Sequence, residues 1–132
     1  GPIQKISLPY YVEGPWLHKR KNLYYLTYAS FAGRKGSEDI SYATAPSITG
    51  PWTPRGILTG CAANSFTIHP GIIEFKKQWY LFYHNGKLTL PDGETGASFR
   101  RSVCVDRLYY NEDGTMKPVE QTVDGVSERN KK

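Results

Sequence analysis

Glu13 stands in the run Tyr10-Tyr11-Val12-Glu13-Gly14-Pro15-Trp16, a carboxylate set among three aromatic rings and a valine. Desolvation penalises the charged carboxylate, so such surroundings raise its pKa and favour the protonated form near neutral pH. A positioned, protonated carboxylic acid is what the leaving oxygen of a glycosidic bond requires. The same residues also read as an ordinary strand-end glutamate with one side in solvent. His69 lies in a second run, Asn64-Ser65-Phe66-Thr67-Ile68-His69-Pro70-Gly71. One imidazole cannot enclose a metal. It can be the single protein ligand of a largely hydrated cation, hydrogen-bond the acid, or be satisfied by backbone groups. Arg100 and Arg101 precede Ser102-Val103-Cys104-Val105-Asp106. A guanidinium fork can hold vicinal sugar hydroxyls, and strand alternation lets only one of the two point inward. Trp16 and Phe66 offer flat apolar faces to a sugar ring.

Other chemistries lack their signatures. The sequence holds no phosphate-cradling glycine loop, no Gly-x-Ser-x-Gly and no His-Glu-x-x-His. Its two cysteines, Cys61 and Cys104, are too few for a disulfide framework and lack metal-site spacing; Cys104 reads as a buried free thiol. Lys and Arg number 17 against 12 Asp and Glu, a net charge of +5, but the basic residues are dispersed along the chain in short pairs beside turns. Nucleic-acid binders gather them on one face or helix, so no nucleic-acid partner is expected. No apolar run is long enough to span a membrane, and no membrane partner is expected either. Any export signal would lie upstream of residue 1; a secreted or periplasmic location is the expectation.

The elements that must position these residues are strands. Helical periodicity is absent, while short aromatic and β-branched runs alternate with Gly, Pro, Asn and Asp clusters. Strands are predicted at 11–19, 23–29, 39–45, 52–57, 71–75, 78–84, 101–110 and 117–122. Tyr24-Tyr25-Leu26-Thr27-Tyr28 and Trp79-Tyr80-Leu81-Phe82-Tyr83 recur about 55 residues apart, each after a basic turn, and four strands per such unit describes a propeller blade. The repeat places Glu13 and His69 at equivalent points near a ring axis. A β-sandwich with two similar hairpins is the alternative. Blades are expected at about 8–60 and 64–124, followed by a polar, fraying tail at 127–132. Asn111-Glu112-Asp113-Gly114 and Thr49-Gly50-Pro51-Trp52 read as turns without chemistry.

In this order and spacing the motifs resemble glycoside hydrolase family 43. Val12-Glu13-Gly14-Pro15-Trp16 with Leu23-Tyr24-Tyr25-Leu26-Thr27-Tyr28 is similar to the segment carrying that family's general acid. Ile40-Ser41-Tyr42-Ala43-Thr44-Ala45 with Gly50-Pro51-Trp52 is similar to the rest of that blade. His69-Pro70-Gly71-Ile72-Ile73, Trp79-Tyr80-Leu81-Phe82-Tyr83-His84-Asn85 and Arg100-Arg101-Ser102-Val103-Cys104-Val105-Asp106 resemble the last blade. The resemblance implies an all-β chain of about two blades, each of four antiparallel strands, from a five-bladed propeller. Residues 1–132 would be the C-terminal portion of the catalytic domain. It further implies an inverting α-L-arabinofuranosidase or β-xylosidase acting on xylan and arabinoxylan oligosaccharides. In it Glu13 is the acid, His69 lies beside an axial calcium or sodium ion, and Arg101, with Arg100 the second choice, contacts the sugar.

One departure weighs against a complete site. The family's general-base aspartate belongs to early blades, and Asp39, Asp92, Asp106, Asp113 and Asp124 all sit in turns or late strands. The chain alone is therefore expected to be inactive until an N-terminal part of the propeller or self-association completes the ring. A non-catalytic carbohydrate-binding or self-assembling half-propeller is the reading from a different class.

Overall fold

The computed structural model describes residues 1–94, 96 and 99–127; the tail from 128 onward lies outside the described residues. Seven strands form and, among the described residues, no helix. β1 (Tyr11–Arg20), β2 (Leu23–Ser30), β3 (Asp39–Ala45) and β4 (Thr53–Thr59) build a four-stranded antiparallel meander. β5 (Gly71–Phe75), β6 (Gln78–Asn85) and β7 (Ser102–Leu108) build a three-stranded one. The two basic turns close the first hairpin of each sheet. Lys21, Lys76 and Lys77 have positive φ there, the twist that short hairpin loops need. The repeated motifs become β2 and β6, the second strand of each sheet, so the repeat is one of architecture. The chain is all-β, two propeller blades packed face to face.

Alternation decides which residues meet between the sheets. Tyr25, Ile40, Tyr42 and Leu58 pack against Ile72, Leu81, Tyr83 and Leu108, with Ile68 and Met116 completing the core. The buried phenols keep partners: Tyr25 donates to Gly114 O at 2.7 Å, and Tyr42 Oη accepts the Met116 N–H at 2.9 Å. Trp16 Nε1 donates to Ile72 O at 2.9 Å and joins β1 to β5.

The second sheet departs from expectation. Segment 117–122 forms no strand, and the 101–110 strand contracts to β7. Pro118 cannot donate to a ladder, and the neighbouring groups are taken elsewhere. Val119 N–H donates to Leu58 O at 2.8 Å, and Gln121 Nε2 reaches Gly60 O at 2.8 Å. Buried Asp106 accepts from Thr122 N, Thr122 Oγ1 and the Tyr83 hydroxyl. The segment thus straps the second sheet to the first instead of extending the second. Cys61 and Cys104 are free thiols, each half-buried, so Cys104 is less enclosed than expected.

At the end of β1, His18 is stacked on Tyr25 at 4.7 Å, lies 5.3 Å from Trp79 and bonds Tyr110 Oη at 2.8 Å. Burial, with the Arg20 charge adding, lowers its pKa from 6.5 to about 4. The folded chain therefore binds this proton more weakly than the unfolded chain. Its stabilising contribution is complete above pH 6.5 and is lost as pH falls toward 4, by about 2–3 kcal/mol. Urea unfolding of the wild type and His18→Phe at pH 7 and pH 4.5 should show the variant losing less stability on acidification. Equal losses would show that His18 does not set this dependence.

Candidate active site

Glu13, in β1, and His69, in the loop that leads into β5, meet at the end where both strands begin. His69 Nε2 lies 2.9 Å from Glu13 Oε1. The backbone there is built for this contact. The β1–β2 register shifts on both sides of Glu13, and such bulges re-aim side chains. Gly14 has φ +60, and a Cβ on it would stand 3.1 Å from the His69 ring, so only glycine lets the imidazole lie against β1. The desolvation expected of Glu13 is not found: its side chain is 51% exposed. Tyr10, Tyr11 and Trp16 are themselves 51%, 46% and 41% exposed and do not enclose it.

The enclosed carboxylate is Glu38, which the sequence reading passed over. It is 2% exposed, accepts the Ile68 N–H at 3.1 Å, and reaches to 4.0 Å from His69 Nε2. Its own N–H donates to Phe66 O at 2.9 Å. Glu38 therefore clamps the turn that carries His69. Burial pushes its carboxyl above the ordinary range; the Ile68 N–H opposes this, and the Glu13 charge adds to it. Next to it, Asp39 anchors the loop through Gly33 N at 2.6 Å and the Ser30 hydroxyl. A sequence signal for Glu38 existed only as a glutamate just ahead of a β-branched strand, which is commonplace.

Arg101 lies close enough for its charge to act on both Glu38 and His84. Arg100 instead pairs with Glu94 on the β6–β7 loop. His84 adjoins His69, ring centroids 5.5 Å apart, bonds Thr67 Oγ1 at 3.1 Å, and has its pKa lowered by burial and then by Arg101. Phe66 is 49% exposed and packs 5.9 Å from Phe31. Trp16 is near Glu13 in sequence, but its N–H is spent on Ile72.

Glu13, Glu38 and His69 offer ligand atoms within 4.8 Å of one another. Calcium takes about six to eight oxygens. Two carboxylates and one imidazole, with one Glu38 oxygen already accepting Ile68 N–H, fit a divalent cation only if water fills most positions. The same spacing excludes Glu38 as the partner of an inverting acid. Such pairs stand about 6.5–9.5 Å apart to admit water.

The family model for glycosyl hydrolases family 43 matches residues 3–116. A β-D-galactofuranosidase of Aspergillus niger is 36% identical over 98% of this chain and 38% of its own length. A xylosidase/arabinosidase of Bacteroides ovatus is 32% identical over 83% of the chain and 31% of its own. A solved β-xylosidase/α-arabinofuranosidase from a compost microbial metagenome, complexed with xylotriose in a calcium-free form, superposes with TM-score 0.68. It is 33% identical, covering 83% of this chain and 30% of that one. The chain spans about a third of the length of these relatives. From the motifs through the paired sheets to these matches, the chain belongs to glycosyl hydrolases family 43.

Proposed function

We propose that this chain supplies the general-acid part of an inverting glycosidase acting on xylan or arabinoxylan, as an α-L-arabinofuranosidase or β-xylosidase. The observation that carries the reading is the contact of half-exposed Glu13 with His69 at 2.9 Å. Glu13 protonates the departing glycosidic oxygen. His69 orients it for transfer: an unprotonated Nε2 accepts from the protonated carboxyl at 2.9 Å. Arg101 binds sugar hydroxyls at the rim. The carboxylate that activates water comes from blades outside this chain. Glu38 and His69 would hold a largely hydrated calcium ion, which when bound supplies fixed positive charge beside the acid.

Exposed Ile73, Phe75, Phe82 and Val103 on the second sheet support completion by a further blade or a second copy, since an apolar sheet face of this kind demands a partner. That face also keeps the non-catalytic module as the second reading. The test is turnover of arabinosyl- and xylosyl-oligosaccharides by the chain alone and joined to early blades of a family member. No turnover alone and restored cleavage once joined is the expected pair. A correctly assembled ring without turnover would favour the module. Arabinose, xylose or galactose as the released sugar would identify the specificity.

A further inference from the structure

Positive charge is concentrated at one end of the paired sheets. At the Glu13 end the charges are mixed: Glu13, Glu38, Asp39, Asp92 and Glu94 stand with Arg34, Lys35, Lys87, Arg100 and Arg101. At the other end the β1–β2 and β5–β6 turns bring together Lys19, Arg20, Lys21, Lys76 and Lys77, which lie in two separate sequence runs. A chain of ring contacts links the two turns. Arg20 caps the Tyr110 ring at 4.1 Å, Tyr110 lies 5.6 Å from Trp79, and Trp79 pairs with Glu74, two residues before Lys76. The four lysines are exposed, and none makes a salt bridge among the described residues. Glu74, Glu112 and Asp113 are the carboxylates at this end, and Asp113 is occupied by Thr115.

Each turn also pairs an ammonium with a ring: Lys19 lies 5.0 Å from the Tyr24 centroid and Lys76 5.4 Å from that of Phe75, which is 59% exposed. Each ring holds its ammonium at the turn, where the exposed charge can meet the carboxylate of an acidic sugar. We propose that this end, remote from Glu13, binds uronic-acid-bearing polysaccharide and so holds acidic xylan on the protein. Only the choice of glycan among polyanions rests on the proposed function. Spaced single charges suit two small lysine groups better than the dense phosphates of a nucleic acid, which call for a continuous basic track.

The test measures binding of this chain to glucuronoxylan and to neutral arabinoxylan by affinity electrophoresis at low and high salt, with duplex DNA as the control polyanion. A combined Lys19→Ser, Lys21→Ser, Lys76→Ser, Lys77→Ser variant and the matching Lys→Arg variant accompany it. Preference for glucuronoxylan, weakened roughly tenfold by salt and by serine but kept by arginine, is the expected result. Equal retention of both xylans, binding unaffected by the serine variant, or tighter binding of DNA would each overturn the proposal. Turnover by the completed ring on neutral oligosaccharides reads the acid site separately, so the two failures are distinguishable.

Discussion

Glu13→Gln in a ring completed around this chain is expected to lower kcat on oligosaccharides by about 10²–10⁴-fold, the usual contribution of a positioned acid. Gln keeps the shape and the hydrogen bond to His69 but has no acid proton to give. The loss should fall almost entirely in kcat, because the sugar contacts are untouched. It should also shrink on an aryl glycoside whose leaving group departs without protonation. That dependence separates an acid from a residue that merely supports the fold. A uniform loss on both substrates, or an unaffected rate, would remove Glu13 from the role.

The second large effect is at Glu38. Glu38→Ala strips the acceptor from the buried Ile68 N–H and leaves a space beneath the His69 turn. An unsatisfied buried donor with a small cavity costs about 2–4 kcal/mol. In the completed ring His69 would lose its backing and Glu13 its orientation, so kcat should fall with KM little changed. Glu38→Gln separates positioning from charge, since its amide oxygen still accepts from Ile68. Restored stability and activity in Gln would identify Glu38 as a positioning residue that does not act through its charge. The pH dependence has a definite sign. Because burial raises the folded pKa, the wild-type contribution is complete below the ordinary 4.5 and is lost as pH rises through the folded value. Glu38→Gln should abolish that decline. Ala and Gln variants that behave alike would show that the Ile68 bond is not what holds the turn.

Much of this was legible along the chain. Aromatic and β-branched runs between turn residues specify strands locally, so six of the seven strands stand close to their predicted positions. The eighth run, 117–122, met the same local criteria and failed, because its partners Leu58, Gly60 and Asp106 lie far away in sequence and satisfy its groups better than an edge ladder would. Glu13 and His69 stood out because each lies near the start of a repeat unit and matches a motif of the family the chain resembles.

What the sequence by itself determined is the all-β class and the two-blade repeat, since these follow from local alternation, turn chemistry and periodicity; Glu13 and His69 were singled out by the repeat together with the family resemblance. Tertiary structure alone decided the environment of each group. Glu13, which has aromatic neighbours in sequence, is half in solvent, because adjacent strand residues point to opposite faces and a neighbour in sequence is not a neighbour in space. Glu38, in a polar loop by sequence, is sealed beneath His69 because the β4–β5 loop folds over it. The dispersed lysine pairs become one basic end for the same reason: parallel placement of β1 and β5 puts their turns side by side.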